Sequence, residues 1–356
     1  MAAIVEPNPS VQAAERTRPQ AIGGLRFDWL MVGLSTIFLG GLYLDGWAHN
    51  HGKVDQSFFT PWHAFFYAGF ALTAIVLLAT GAINWRRGYT QRAALPTGYG
   101  LALLGSAIFA AGGVGDLIWH TLFGIEEDFE ALVSPTHLML GVGLALIVSA
   151  PLRAGWHRPG GRGWRELGPA LLSLCLLTTA FTFFMMFSHP LMGIIGGARH
   201  NHFNNEVGQM GGIVSLMVIG GLLLGPIFVA LRRWQLPVGT LILVWGVNCL
   251  AMAIVDWGLP YHAALTGVMI VAVIICDWLL QRAQGLLPSL QGVRVFAFVA
   301  PALLFGAYFF ALLLTEGSRW SIHLIGGAIV LPAIVGWLLS YVAWPPAVPP
   351  EPGPGS

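Results

Sequence analysis

Long apolar segments alternate with short polar ones along almost the whole chain. A helix needs about 20 apolar residues to cross the hydrocarbon core of a bilayer, and segments of about that length recur throughout the sequence. The pattern predicts an all-α membrane protein, a bundle of about ten transmembrane helices built from helical hairpins. The predicted spans lie near residues 27–49, 61–84, 97–121, 135–153, 168–188, 207–231, 237–257, 260–281, 293–315 and 320–343.

Composition agrees with a chain whose main partner is the lipid bilayer. Of the 356 residues, 56% are hydrophobic and 9% charged, whereas soluble proteins carry roughly a quarter charged residues. The net charge is +1 and no basic run is present, so no nucleic acid partner is expected. Companion membrane subunits and a homo-oligomer both remain compatible with the sequence. Polar residues 1–24 and the Pro/Gly-rich residues 345–356 predict cytoplasmic tails, the first of them disordered, around a polytopic domain over 25–344.

Basic residues predict the orientation of the bundle. The N-terminal region and the segments that follow the even-numbered spans hold fourteen of the seventeen lysines and arginines; the remaining three are Lys53, Arg199 and Arg319. Short loops rich in lysine and arginine mark the cytoplasmic side of a membrane. The sequence therefore predicts a multi-pass protein of the bacterial inner membrane with both termini in the cytoplasm. Ten of the eleven histidines fall near the opposite, periplasmic or exterior ends of the spans; the exception is His157.

The loops at that outer end share a pattern, which indicates an internal repeat. An acidic residue closes an odd-numbered span, and a histidine opens the next one. The predicted hairpin repeats cover residues 27–84, 97–153, 168–231, 237–281 and 293–343, of which the third and fifth have diverged most.

Proline precedes the histidine by two residues in three of the hairpins: "TPWH" ends at His63, "SPTH" at His137 and "LPYH" at His262. Proline suits the first position of a helix, and Thr60 and Ser134 can cap the free N–H groups that follow. These histidines are therefore expected in the first turns of their helices, at a common depth.

Two sets of residues predict metal sites. Asp45 and His49 are four residues apart and share one helix face, as do Asp116 and His120. A neighbouring helix that begins with His63 or His137 could complete a site of two imidazoles and one carboxylate. Such a set suits copper, with zinc or non-haem iron as alternatives. The competing interpretation is a hydrogen-bond network that ties the helix ends together.

Further candidate ligands lie outside these two sets and form less complete patterns. His200, His202 and Glu206 lie in and after a Gly/Asn-rich loop, and Asp256 with His262 forms a reduced version of the Asp/His pattern. The acidic run "EEDFE" (126–130) is expected to be a solvated face, or to collect cations near the sites.

The stretch "LDGWAH…FFTPWHAFFY" resembles the C subunit of the particulate methane and ammonia monooxygenases. In that family an Asp-x3-His on one helix and a histidine that opens the next form a metal site, which corresponds here to Asp45, His49 and His63. A weaker resemblance covers Asp116, His120 and His137. The resemblance implies copper and monooxygenase-like chemistry. It extends over about 25 residues, the loop lengths differ, and about ten spans exceed what the family implies.

Three function classes follow. The first is a membrane metalloprotein, a copper-dependent monooxygenase-like oxidoreductase or subunit. The second is a metal-ion or proton-coupled transporter or metal-handling protein, which would need polar groups across the bilayer; few are visible. The third is a structural membrane subunit without metal. No catalytic residue is assigned.

Overall fold

A computed structural model describes residues 19–53, 59–124, 126, 129–258, 261–285 and 290–346. It confirms the all-α membrane fold: nine helices in this part of the chain are long and apolar enough to cross a membrane. They are α1 (Gly24–Asn50), α2 (Pro61–Arg86), α3 (Gly100–Phe123), α4 (Pro135–His157), α5 (Gly163–Phe184), α6 (Glu206–Leu231), α8 (His262–Gly285), α9 (Gln291–Thr315) and α10 (Ile322–Ala343).

The span expected at 237–257 is shorter than predicted. The apolar helix there, α7, covers only Ile242–Val255, and its first turn, Ile242–Gly246, is π-helical. At about 1.5 Å per residue, α7 falls short of the roughly 30 Å hydrocarbon core. The predicted span included residues 237–239, which precede the helix, and here the carboxylate of Asp277 accepts hydrogen bonds from the backbone N–H groups of Gly239 and Leu241. Ten predicted spans thus correspond to nine long helices and one short one.

The helices form two packed groups joined by α5. Side chains of α1–α4 make one part of the core, to which Phe38, Phe66 and Phe109 contribute large rings. Helices α6–α10 make a second and larger core. Helix α5 contributes Leu171 to the second core and Leu176 to the first. It is also the most enclosed span, with 78% of its most apolar window buried.

Glycines let α1 and α2 approach closely near the end of the hairpin that carries Asp45 and His63. A β-carbon at Gly41 of α1 would lie 2.7 Å from the Cα of Phe66, and one at Gly69 of α2 would lie 2.8 Å from the Cα of Phe38. Small residues allow such backbone contact between membrane helices. The close contact fixes the height of α1 relative to α2 near the helix ends.

Helices α3 and α4 make matching contacts at matching positions. A β-carbon at Gly112, four residues before Asp116, would lie 3.2 Å from Leu140, and one at Gly143 would lie 2.8 Å from the backbone N of Phe109. Gly41 and Phe66 occupy the corresponding positions relative to Asp45 and His63 in the first hairpin. The first two hairpins thus pack alike, although a repeat through all five hairpins stays a prediction.

The remaining sequence expectations about domains concern the chain ends. Residues 1–18 and 347–356, which make up most of the two predicted tails, lie outside the described residues. Residues 19–23 and 345–346 are described and contain no helix. The predicted orientation of the bundle, with its tails in the cytoplasm, stays a prediction.

Candidate metal centre

The last turn of α1 and the first turn of α2 bring together Asp45, His49 and His63, here named site I. The Nε2 atom of His63 lies 3.4 Å from Oδ2 of Asp45, and Nε2 of His49 lies 3.9 Å from the same oxygen. One ligand atom from each side chain lies within 4.8 Å of the other two. The spacing of four residues between Asp45 and His49 produces this geometry because it places both on one helix face.

Helices α3 and α4 form an equivalent group of Asp116, His120 and His137, here named site II. Nε2 of His137 is 3.4 Å and Nε2 of His120 is 3.5 Å from Oδ1 of Asp116. The ligand atoms again lie within 4.8 Å of one another. Asp116 is almost fully buried, with a side-chain exposure of 1%.

Threonine and serine caps orient the histidines that open α2 and α4. Thr60 Oγ1 accepts a hydrogen bond from the backbone N–H of His63 (3.1 Å), and Ser134 Oγ accepts one from that of His137 (3.4 Å). The prolines that follow both caps occupy the first helical turn. The predicted cap geometry is therefore confirmed for both helices.

The same two hydroxyl groups also contact the imidazole rings. Thr60 Oγ1 lies 3.2 Å from Nδ1 of His63, and Ser134 Oγ lies 2.9 Å from Nδ1 of His137. A hydroxyl oxygen can accept the Nδ1–H, which would place the Nε2 lone pair on the side that faces the aspartate. Each capping residue thus defines where its helix begins and orients the ring of the histidine that follows.

Two further side chains support site II. The Thr136 hydroxyl donates a hydrogen bond of 2.8 Å to Oδ1 of Asp116. Oε2 of Glu126 lies 3.1 Å from Nδ1 of His120, and the carbonyl oxygen of Gly124 lies 3.2 Å from the same nitrogen. The Gly124 carbonyl oxygen can only accept, so His120 is expected to carry its proton on Nδ1 and to present the Nε2 lone pair towards Asp116. Glu126 adds a negative charge beside Nδ1 without a hydrogen bond to it.

The two sites are neighbours. Asp45 interacts electrostatically with Asp116 and His137, and His49 interacts with His120 and His137. The ring of Tyr67 lies beside that of His63, with centroids 6.4 Å apart, and extends to α3. Its hydroxyl would lie 3.1 Å from a β-carbon at Gly113 of α3. An ion in one site would therefore alter the electric field at the other.

An aromatic layer lies beneath both sites. The ring of Phe38 contacts those of Phe66 and Phe109, with centroid distances of 5.3 Å and 4.9 Å. The Phe70 ring packs 4.4 Å from that of Phe109. These residues lie one to two helical turns below the acidic residues and histidines. The layer separates the sites from the buried polar groups at the other end of α1–α4.

His200, expected as an additional ligand, has other contacts. Its Nε2 lies 2.7 Å from the Tyr261 hydroxyl and 3.7 Å from Oε2 of Glu316. Burial raises the pKa of Tyr261 to about 12, so the hydroxyl keeps its proton near neutral pH and can donate it to His200. That hydrogen bond competes with metal binding at the same nitrogen.

The other additional candidates do not converge into a group of three potential ligands in the described part of the chain. Glu206 begins α6 and His202 lies in a short 3-10 turn before it. Asp256 interacts electrostatically with His51 and His200, while His262 is fully buried beside Trp257 and Tyr261. Among the described residues, the groups of three potential ligands that converge are sites I and II. A ligand role for these four residues stays a prediction.

The arrangement fits a metal ion at each site. Two imidazole nitrogens and one carboxylate oxygen converge from two helices. The Nδ1 atoms of His63, His120 and His137 each lie near an oxygen atom. Oδ1 of Asp45 is buried and no described residue forms a hydrogen bond with it. Burial of such an oxygen is unfavourable unless a ligand or proton compensates it. Three protein ligands also leave coordination positions open.

Comparison with protein-family models, curated proteins and solved structures finds no match to this chain.

Proposed function

We propose that this chain is a membrane metalloprotein that holds two neighbouring metal ions, one in site I and one in site II. The observation that carries the proposal is the convergence of two His/His/Asp groups at adjacent helix ends. Ionisable groups at membrane helices are unfavourable and point to function. A purely structural network would not need three ligand-type atoms within 4.8 Å of one another in both hairpins.

Copper is the metal we propose, with zinc and non-haem iron as alternatives. Imidazole and carboxylate ligands accept all three ions, and among divalent first-row metals copper binds such sites most tightly. The motif around Asp45, His49 and His63 also resembles the copper monooxygenase C subunit. We therefore propose monooxygenase-like oxidation as the chemistry, for which a bound copper ion would supply the redox step.

The residues of the chain would bind, orient and shield the metal ions. Asp45 and Asp116 each supply a negative charge that offsets the charge of a cation, while the Thr60 and Ser134 hydroxyls orient the ring nitrogens. The layer of phenylalanine rings below the sites keeps polar groups and water away from their inner side. Open coordination positions are left for an external reactant.

A metal transporter is the second candidate. Side chains of Glu126 and Glu130 line a cavity of about 350 Å³ beside site II, which favours capture of cations at this end. However, a transport path would have to pass the layer around Phe38, Phe66 and Phe109. The aromatic layer therefore favours chemistry at the helix ends over passage through the bundle.

Metal analysis of the purified, untagged protein tests the proposal. We expect about two equivalents of metal per chain, and the loss of about one equivalent in each of two triple variants. These variants are Asp45→Ala/His49→Ala/His63→Ala and Asp116→Ala/His120→Ala/His137→Ala. His157→Ala, at the opposite end of α4, is the matched control and should keep both ions.

Two results would contradict the proposal. If the wild-type protein binds no metal after reconstitution with copper, zinc and iron in turn, the proposal of a metalloprotein is ruled out. Ion uptake by proteoliposomes that depends on His49 and His137 would instead favour transport. Oxygen consumption by the copper-loaded protein with small apolar substrates and an added reductant, which supplies the two electrons that a monooxygenase needs for each O2, is the expected result for an oxygenase and should be lost in both triple variants.

A further inference from the structure

The two sites differ in the groups that surround their ligands. In site II, Thr136 donates to Asp116 and Glu126 faces His120. In site I, Trp62 occupies the position that matches Thr136, and its indole N–H donates to the Lys53 carbonyl oxygen, away from the site. Asp45 Oδ1 accordingly has no hydrogen-bond partner among the described residues.

Exposure differs in the same direction at two of the three ligand positions; at the third, His63 is 15% exposed and His137 is 22% exposed. The His120 side chain is 8% exposed and Asp116 is 1% exposed, whereas the matching His49 and Asp45 are 34% and 11% exposed. Water and small solutes can therefore reach the His49 side of site I more readily than the His120 side of site II.

Glu126 accounts for much of the difference. Its Oε2 lies 3.1 Å from Nδ1 of His120 as an ion-pair contact, without a hydrogen bond, while the Gly124 carbonyl oxygen lies within hydrogen-bond distance of that nitrogen. A carboxylate beside the second ring nitrogen of a metal-binding histidine strengthens the first nitrogen as a ligand, and loss of such a partner lowers metal affinity about 10- to 100-fold. The Glu126 side chain is 11% exposed, so solvent screens its interaction with His120 only weakly. It reaches His120 because Gly124 ends α3 with φ +88° and turns the chain.

We infer that the two sites are unequal: site II holds its ion tightly, with Glu126 as a positioning residue, and site I is the weaker, open site that an external ligand reaches. The inference rests on the proposed function, because it requires both sites to bind metal. The ligand expected at site I is a small molecule or anion able to coordinate a metal, for which azide is a suitable probe.

The test uses Co²⁺ as the probe ion in the two triple variants, each of which retains one site. We expect the protein with site II alone to keep Co²⁺ against about 10- to 100-fold more chelator than the protein with site I alone. Azide should change the Co²⁺ absorption bands of site I and leave those of site II unchanged.

Glu126→Gln, made in the protein with site II alone, isolates the positioning role. It should lower Co²⁺ affinity about 10- to 100-fold and shift the Co²⁺ absorption bands, which a loss of stability alone would not do. Glu126→Asp should restore part of the affinity. Glu166→Gln, an exposed glutamate in the first turn of α5, is the matched control and should behave like the parent.

In the protein with both sites intact, chelator should remove Co²⁺ in two phases, first from site I and then from site II. In Glu126→Gln the two ions should be removed in a single phase, because site II is weakened. This second measurement serves if a triple variant does not fold. Three results would overturn the inference while leaving a two-site metalloprotein intact. They are equal Co²⁺ affinities of the two sites, tighter Co²⁺ binding by site I, and a Glu126→Gln variant with unchanged affinity and spectrum. No Co²⁺ binding at either site would instead contradict the proposed function itself.

Discussion

At the scale of single residues, the sequence predicts the ligands better than the groups that support them. The four-residue spacing of Asp45 and His49, and proline two residues before His63, suffice to predict which residues form site I. Glu126 is harder to predict, because it lies in an acidic run that looks solvated. Its contact with His120 depends on the turn at Gly124, and no helical periodicity reveals it.

The caps provide a prediction at this scale. Thr60→Val keeps the shape of the side chain but removes the hydroxyl that contacts both the N–H and the ring of His63. We expect a loss of about 1 kcal/mol in stability and about 10-fold or more in metal affinity at site I. Thermal unfolding and chelator competition measure the two effects.

The control for this prediction is Thr60→Ser, which retains the hydroxyl and should bind metal nearly as well as the wild type. Ser134→Ala should weaken site II in the same way without affecting site I. If Thr60→Val binds metal as tightly as Thr60→Ser, then the hydroxyl caps the helix but does not orient His63.

At the scale of helices, apolar length predicts most spans, and packing decides the rest. Helix α2 begins at Pro61 and α4 at Pro135, as predicted, because proline and its cap define the helix start. Helix α7 was predicted too long because the predicted span included residues that lie outside the helix, although Pro237, Gly239 and Asp256 mark its limits in the sequence. The π turn at Ile242–Gly246 likewise has no clear sequence signal.

Adjacent glycines of α1 allow a prediction about helix packing. Gly41→Ala would place a β-carbon 2.7 Å from the Cα of Phe66, whereas a β-carbon at Gly40 meets nothing within 4 Å. Since backbone atoms cannot yield as a flexible side chain can, Gly41→Ala should push α2 away from α1. Separation of the helices would move His63 away from Asp45.

We therefore expect Gly41→Ala to lower stability by about 1–3 kcal/mol and to weaken metal binding at site I. Gly40→Ala, the matched control, should leave both nearly unchanged or raise stability slightly, since alanine favours helix more than glycine does. Thermal unfolding and metal content of the two variants measure this. Equal behaviour of the two variants would show that the close contact does not fix site I.

At the scale of the whole molecule, α1–α4 carry both metal sites, while α6–α10 form the larger core. The sequence predicts both sites but not their proximity, because nothing in the spacing of the first two hairpins defines how they pack. Contact among Phe38, Phe66 and Phe109 at the centre of α1–α4 brings them together. The proximity is thus a property of tertiary packing.

The orientation of the bundle gives the last prediction. Arginines concentrate at the end of α1–α4 opposite the metal sites, which predicts that this end faces the cytoplasm. Cysteine labelling of intact cells can test this, since the native Cys175, Cys249 and Cys276 are buried. Lys53 is exposed at the end of the bundle that carries sites I and II. Lys53→Cys should therefore react with a membrane-impermeant maleimide.

Arg92→Cys, exposed at the opposite end of the bundle, should react only after the membrane is permeabilised. The reverse labelling pattern would contradict the assignment from arginine and place the metal sites in the cytoplasm. The outcome bears on metal supply: in the predicted orientation, ions reach site I from outside the cytoplasm, through the exposed His49 side of the site. A membrane-impermeant chelator added to intact cells should then remove the ion of site I before that of site II.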